Sequence, residues 1–180
     1  MLTITIPAKE MFDERTNTFT STKEQTLQLE HSLVSLSKWE SKWCKPFMSK
    51  TVKKTKEETL DYIKCMTITQ NVDPNIYENL SNSNIDAINK YIDAPMTATT
   101  FSDNINKSSN ETTTSELIYY WMISFNIPME CQKWHLNRLL TLIRVCNVKN
   151  APAKKMGKGD IMRRNAALNA ARRKQFNTNG

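Results

Sequence analysis

The chain has 180 residues with 39% hydrophobic side chains, and its 25 Lys and Arg against 18 Asp and Glu give a net charge of +7. That length suits one domain, or one domain with a tail. The three glycines are Gly157, Gly159 and Gly180, which excludes a glycine-rich phosphate loop from the first 156 residues and favours helices joined by Asn, Ser and Pro turns.

The N-terminal 30 residues favour a small β-ribbon. Leucine and isoleucine at positions 2, 4 and 6 alternate with threonine, which predicts a short half-buried strand that ends at Pro7. The same alternation over residues 26–30 predicts a partner strand. Residues 12–19 are polar around their centre and predict a turn.

Helical spacing of apolar residues replaces the alternation over residues 32–43. Thr55 and Glu58, three residues apart, form a capping-box pattern that predicts the start of a second helix, which closes shortly before Asp73. Asp73 precedes a proline and predicts the cap of a short helix. A further helix is expected over residues 83–95.

The polar stretch at residues 97–114 predicts a flexible loop, and the apolar stretch at 115–150 predicts the centre of the fold. Two helices are expected there, broken at 126–128, with Asn126 capping the second. The second helix is predicted to run without interruption over residues 128–146. Its apolar positions nearly encircle its second half, which predicts burial on several sides.

The predicted fold class is mainly α. A helical core domain at 31–150, with the flexible loop at 97–114, follows an N-terminal β-ribbon at 1–30 and precedes a basic C-terminal helical arm at 151–180. The predicted core consists of apolar residues from every predicted helix of the core domain except the short one after Asp73: Leu33, Leu36, Trp43, Leu60, Ile63, Ile88, Ile92, Trp121, Trp134, Leu139, Leu140, Ile143 and Val145.

The positive charge is concentrated in the C-terminal arm. Residues 151–180 carry eight Lys and Arg against one Asp, a net +7, whereas residues 1–150 carry 17 basic and 17 acidic side chains and are neutral. Asp160 is expected to cap a final helix over residues 161–175. Its arginines can pair with acidic groups or phosphates, and its apolar residues can enter a groove. A solvated terminal helix is the alternative.

The arm therefore supplies the candidate partner-binding residues. They are Lys154, Lys155, Ile161, Met162, Arg163, Arg164, Leu168, Arg172, Arg173, Lys174 and Phe176.

No catalytic or metal-binding pattern is evident. Cys131 and His135 lie four positions apart, but a structural zinc needs four ligands and no second pair has suitable spacing. Nucleophilic catalysis needs a nucleophile, a base and an orienting group, which His31 and His135, the two histidines of the chain, do not suggest in their helical contexts. The prediction is a non-enzymatic protein without metal or cofactor.

The helix pair at residues 115–150 also has the outline of a helix-turn-helix. A recognition helix exposes polar and basic residues at its start. Met129, Cys131 and Trp134 are instead expected to be buried, which favours a core αα-hairpin.

The cysteines and the N-terminal residues indicate the cellular compartment in which the protein is expected. The cysteines are Cys44, Cys65, Cys131 and Cys146. They have no CxxC spacing and lie in apolar helical contexts, which predicts buried free thiols in a reducing compartment. Residues 1–6 lack the pattern of a signal peptide, and no apolar stretch reaches the roughly 18 residues of a membrane span. A cytoplasmic protein without membrane contact is expected.

Four stretches of the sequence point to a known family. They are LEHSLVSLSKWESKW at 29–43, DYIKCMTITQNVDP at 61–74, IYYWMISFNIPMECQKWHLNRLLTLIRVCNVKN at 118–150 and RRNAALNAARRKQFNTNG at 163–180. In these stretches the chain resembles a family from tailed bacteriophages with long tails, whose members are labelled tail assembly chaperones or tail-region proteins. The resemblance spans most of the chain and carries over no catalytic residue.

The resemblance implies a small, mostly helical morphogenesis protein in the host bacterial cytoplasm. Such chaperones are thought to coat the helical tape-measure protein and to recruit tail-tube subunits, so these proteins are the implied partners. The residues of the arm add a neighbouring copy of the chain as a further candidate partner. Two alternatives stay open. One is a structural protein of the tail or neck that remains in the virion, and the other is a nucleic-acid-binding packaging protein that uses its basic arm.

Overall fold

The fold is mainly helical, with small antiparallel sheets at the N-terminus and a helix at the C-terminus, as predicted. The residues that the computed structural model describes are 1–13, 18–49, 51–101, 112–151 and 157–178, without the side chains of 11–13 and 18–21. The chain divides into two compact units, Met1–Cys146 and Asn147–Gly180. The first unit contains the N-terminal strands together with the helical core.

The N-terminal strands form two antiparallel pairs. Strand β1 (Leu2–Ile6) pairs with β4 (Gln25–Leu29), so the predicted alternation and its partner are confirmed. The alternating residues Ile4, Ile6 and Leu27 are buried. One face of this ladder is therefore part of the core.

The turn predicted over residues 12–19 is wrong at both ends. Strand β2 (Lys9–Asp13) pairs with β3 (Thr18–Thr22), and Phe12 lies opposite Phe19 in the register. The ladder extends into the polar stretch because pairing satisfies backbone groups whatever the side chains are. Residues 14–17 lie outside the described part of the chain.

Both of the first two helices have side-chain caps, and the cap of the second is the one predicted. Helix α1 (Leu33–Trp43) begins at Ser32, and α2 (Lys56–Met66) begins at the capping box of Thr55 and Glu58. The two helices pack against each other. The Trp39 side chain is fully buried there, and its Nε1–H donates to the carbonyl oxygen of Glu58 at 2.8 Å.

The chain after α2 returns to the sheet before the next helix. Thr67 forms a bridge with Leu29, and the Ile68 amide donates to Gln28 O at 2.8 Å. Helix α2 therefore ends at Met66, earlier than the predicted end shortly before Asp73. A 3-10 helix, Pro74–Asn79, follows its predicted cap Asp73. Helix α3 (Asn82–Asp93) is capped by Ser81.

The predicted break at residues 126–128 is present, but Asn126 ends the first helix instead of capping the second. Helix α4 (Ser115–Ser124) is capped by Thr114. Asn126 has φ 52°, and its amide donates to Ile123 O at 3.1 Å while the Ile127 amide donates to Met122 O at 2.8 Å. This pair of bonds is a Schellman motif, in which Asn tolerates the left-handed conformation.

The uninterrupted helix predicted over residues 128–146 is wrong. A 3-10 helix, Met129–Lys133, is separated by Trp134 and His135 from helix α5 (Leu136–Asn150). His135 forms a β-bridge with Ser32, and the Leu136 amide donates to His31 O at 2.7 Å. Pairing with a distant part of the chain thus replaces one turn of helix.

Helix α5 is buried on one side, not on several sides. Its buried residues are Leu136, Leu139 and Ile143, which share one helical face. Of the predicted core, Leu33, Leu36, Ile63, Ile88, Leu139 and Ile143 are buried. The other predicted core residues are only partly buried: Trp43, Leu60, Ile92, Trp121, Trp134, Leu140 and Val145.

The second unit contains helix α6 (Lys158–Phe176). Its N-terminal cap position is Gly157, and Asp160 is its third residue. The prediction that Asp160 caps this helix is therefore wrong. Its C-terminal end at Asn177 has φ 52°, another left-handed Asn. Among the described residues, no helix is both long and apolar enough to cross a bilayer.

Candidate partner-binding surfaces

Helix α6 carries all the candidate partner-binding residues that the structure describes. Every residue from 157 to 178 is exposed, including Leu168 at 46% and Phe176 at 67%. Lys154 and Lys155 lie outside the described residues. The helix carries six Lys and Arg against one Asp, a net +5.

The candidates on α6 do not all share one face. Helical spacing places Ile161, Leu168, Arg172 and Phe176 along one side, with the arginine between two apolar residues. Met162 lies beside this stripe. Arg164, three residues from Ile161 and four from Leu168, borders the stripe on its other edge, and Arg163, Arg173 and Lys174 fall on the other sides of the helix. The predicted apolar strip therefore exists as a mixed stripe that includes a positive charge. We call these four residues the arm stripe.

A second exposed apolar surface lies on α4. Its buried face includes Ser115, Ile118 and Met122, and its opposite face exposes Tyr120 at 63% and Ile123 at 66%. Sequence reasoning missed this surface, because a helix with apolar residues on every side is usually buried all round. Too few neighbouring elements surround α4 for that.

The exposed face of α4 includes one acidic side chain. Glu116 lies four positions before Tyr120, on the same side of the helix, and is exposed. A backbone hydrogen bond at the start of α4 lowers the pKa of Glu116, so its carboxylate is ionised at neutral pH. Glu116, Tyr120 and Ile123 are called the α4 stripe below. Beyond the helix, Met129 and Glu130 are also exposed, so the expectation that Met129 is buried is wrong.

A groove lies between α2 and α3. Its volume is about 470 Å³, and its apolar lining includes Leu60, Ile63 and Ile88. Lys54 and Lys56 also line it, which makes its rim basic. The Lys54 ammonium lies 4.4 Å from the ring centroid of Phe47, and burial lowers the pKa of Lys54 against the opposing effect of Glu58.

The fold also brings together the two histidines, which sequence reasoning left apart. The ring centroids of His31 and His135 are 5.2 Å apart, and both side chains are buried. His31 Nδ1 lies 2.6 Å from Tyr62 Oη. Burial, and secondarily the neighbouring His135, lower the pKa of His31 to about 4, and burial also lowers the pKa of His135.

Hydrogen bonds define the protonation of His135. Its Nε2 lies 3.0 Å from Tyr91 O, which can only accept, so Nε2 carries the proton. Its Nδ1 then accepts from the Asn137 amide at 3.3 Å, in the manner of a helix cap for α5. The neutral ring therefore donates one hydrogen bond through Nε2 and accepts one through Nδ1.

The histidine pair connects to the N-terminus of the chain. Tyr91 Oη donates to Glu30 Oε1 at 2.6 Å, and the Met1 amino group lies 3.0 Å from Glu30 Oε2. These bonds join β1, β4, α3 and α5 at one point of the core. We interpret the cluster as structural, because a catalytic group must touch its substrate and both rings are enclosed by protein.

The cysteines differ in exposure. Cys131 is buried as predicted, but Cys44 is exposed, and Cys65 and Cys146 are partly exposed. Cys44 is exposed because it follows the last turn of α1 with φ 51°. Across the described residues, no group of three or more His, Cys, Asp and Glu side chains is placed to hold a metal ion.

Comparison with known proteins adds no relative. No protein-family model, no curated protein and no solved structure matches this chain. The resemblance to the phage tail family therefore rests on the four sequence stretches, and a function must be argued from the surfaces described above.

Proposed function

We propose that this chain is a non-enzymatic bacteriophage morphogenesis protein, a tail assembly chaperone that binds the tape-measure protein and tail-tube subunits. Two features support the proposal. The first is the resemblance of the four sequence stretches to the phage tail family. The second, which carries it, is α6: a 19-residue helix, exposed along its length, that presents both arginines and large apolar side chains.

The chemistry of α6 suits a helical client. An amphipathic helix binds another helix by placing apolar side chains at helical spacing into a groove, and arginines at the rim pair with carboxylates. Ile161, Leu168 and Phe176 provide the apolar contacts, and Arg172 and Arg173 provide the charge. Because none of the residues of α6 is buried, its apolar side chains stabilise the helix only when a partner covers them.

The groove between α2 and α3 offers a second contact for the same client. Its apolar lining and its two lysines suit an amphipathic segment that carries acidic residues. The arm and the groove are both basic, so a single acidic helical client complements both.

Co-purification tests the proposal. The tagged full-length chain is co-expressed with the tape-measure and tail-tube proteins from the genome that encodes it, and retained protein is quantified. Reversal of Arg163, Arg164, Arg172 and Arg173 to Glu is expected to abolish retention of the client and to slow association more at low salt than at high salt.

A matched control variant makes the same change in net charge at residues outside the arm. Four exposed lysines outside the arm are Lys9, Lys23, Lys38 and Lys53. Their reversal to Glu changes the charge by the same amount and should leave client retention in place. If both variants lose client retention equally, the effect comes from net charge, which contradicts a specific role for α6. Failure of the unaltered chain to retain either protein also contradicts the proposal.

Nucleic-acid binding is the second candidate function, and the net +5 on an exposed helix favours it. Phosphate binding releases counterions, so affinity for duplex DNA would fall by about 10³ or more between roughly 50 and 200 mM salt for a protein that makes about six phosphate contacts. Binding of an apolar helical client should change far less over that range. A steep fall for DNA, without client retention, would favour a packaging protein. Mass spectrometry of purified particles separates a chaperone from a structural tail or neck protein.

A further inference from the structure

Two exposed helical stripes of this chain are complementary in charge and in apolar character. We propose that the α4 stripe binds the arm stripe of a second copy, so that two copies exchange their C-terminal arms. The proposal concerns self-association and does not depend on the function proposed above.

The α4 stripe supplies the acidic half. Glu116, Tyr120 and Ile123 follow each other at intervals of four and three residues, and the two apolar side chains are 63% and 66% exposed. Tyr is favoured in protein interfaces because it offers a large rigid apolar surface with one polar atom.

The arm stripe supplies the basic half. Leu168 and Arg172 are four residues apart on one side of α6, and Ile161 extends the apolar side by two further turns. The unit that contains this helix is net positive, whereas residues 1–150 are neutral overall. An acidic apolar surface is therefore the favourable place for this helix to bind.

The spacing along the two helices is equal, and the antiparallel orientation matches the residue types as well. Glu116 and Tyr120 are separated by four residues, and Leu168 and Arg172 are separated by four residues, each a rise of about 6 Å. With the helices antiparallel, Arg172 faces Glu116 while Leu168 covers Tyr120. The pairing thus joins opposite charges and apolar side chains in the same register.

Charge also decides against the other apolar surface. The groove between α2 and α3 is lined by Lys54 and Lys56, which repel a helix of net charge +5. A second copy is the natural occupant of the α4 stripe because each chain carries both halves of the contact. Two copies related by a two-fold axis make the contact twice, which is the commonest symmetry of soluble oligomers.

Sedimentation of the full chain over a concentration series provides the test. The unaltered chain is expected to form dimers, and Tyr120→Glu with Ile123→Glu should raise the dimer dissociation constant by about tenfold or more. Ile68→Glu is the matched control, since Ile68 is 52% exposed outside the stripe, and it should leave the dimer unchanged. A chain that stays monomeric, or a dimer that tolerates the α4 substitutions, overturns the proposal.

Charge exchange tests the register. Glu116→Arg and Arg172→Glu should each weaken the dimer, and the double variant should recover it because the pair is restored with its signs reversed. A double variant that is no better than the worse single variant overturns the proposed pairing of Glu116 with Arg172. Circular dichroism of each variant checks that the helices are intact.

Mixing two damaged copies tests the exchange between chains. One copy carries Tyr120→Glu and Ile123→Glu, and the other carries Leu168→Glu and Arg172→Glu. Each should be monomeric alone, whereas the mixture should form a heterodimer through the one intact arm and the one intact α4 stripe. If the two variants stay monomeric on mixing, arm exchange is overturned. The proposal is also overturned if the unaltered chain is monomeric and Tyr120→Glu lowers its helix content, because the arm then binds its own domain.

Discussion

The imidazole rings of His31 and His135 lie edge to face with their centroids 5.2 Å apart, although 104 positions separate them in the chain. His31 follows the last strand of the N-terminal sheet, and His135 immediately precedes α5. Both rings are buried, and their contact therefore joins the sheet to the helical core. Two neutral imidazoles tolerate this proximity, whereas two charged ones would repel each other.

The histidine pair predicts loss of stability in mild acid. Because the pKa of His31 is about 4 in the folded protein against 6.5 ordinarily, its contribution is complete above about pH 6.5 and is lost as the pH falls towards 4. His31 should then reduce the free energy of unfolding by about 2 kcal/mol from about pH 7.5 to about pH 5. Urea unfolding at a series of pH values measures this, with His135 acting in the same direction.

The variant His31→Gln removes the titrating group and separates its effect from that of the carboxylates. Its free energy of unfolding should be lower at neutral pH, because the bond to Tyr62 is altered, but should change less between about pH 7.5 and about pH 5. An equally steep pH dependence in this variant would contradict the assignment to His31.

Burial of one face of α5 predicts which leucines stabilise the fold. Leu139 is fully buried, so Leu139→Ala should lower the free energy of unfolding by about 2–5 kcal/mol. Leu168→Ala is the matched control, because Leu168 is 46% exposed on α6 and its truncation leaves no cavity. Chemical unfolding of both variants at low protein concentration provides the comparison. Equal losses of unfolding free energy would contradict the placement of Leu139 in the core.

The buried carboxylate of Glu40 predicts a large loss of stability when its two acceptor oxygens are removed. Glu40 Oε1 accepts from the Phe47 amide at 2.8 Å, and Oε2 accepts from the Ser115 amide at 2.7 Å, at the start of α4. Glu40→Ala leaves two amides without this acceptor and should cost about 2–5 kcal/mol of unfolding free energy. Glu40→Gln keeps one acceptor oxygen and should cost less. The exposed Glu78→Ala serves as control, and a Glu40→Ala variant as stable as this control would argue against the role.

Exposure predicts the order in which the thiols react. Cys44 is exposed, Cys131 is buried, and burial raises the pKa of Cys65, so Cys44 should react first with a thiol reagent and Cys131 last. Cys44→Ser should remove the fast phase seen in the folded protein. After unfolding without reductant all four thiols should react, and a smaller number would reveal a disulfide bond.

Deletion of residues 154–180 tests the division of the chain. The core residues lie in the unit Met1–Cys146, so the shortened chain should keep its free energy of unfolding within about 0.5 kcal/mol, as for changes away from the core. Heat and urea unfolding of the two chains, at a protein concentration at which both are monomeric, measure the difference. A shortened chain that does not fold would place the arm within the core and move the domain boundary.

Local patterns in the sequence determined much of this protein. The alternation that forms β1 and the capping box of Thr55 and Glu58 depend on neighbouring residues, so they could be predicted from spacing. The arm could be located for the same reason, because a charge count needs no knowledge of packing. Its seven basic candidates followed from that count and its four apolar candidates from their place among them, and nine of the eleven lie on α6.

Only the tertiary structure decided the features that depend on distant residues. The helix predicted over 128–146 is interrupted because His135 and Leu136 pair with His31 and Ser32, and that backbone pairing leaves no trace in local periodicity. The exposure of Tyr120 and Ile123 likewise depends on how few elements surround α4. A sequence window records which side chains are apolar, but burial is decided by the segments that pack around them, and these come from other parts of the chain.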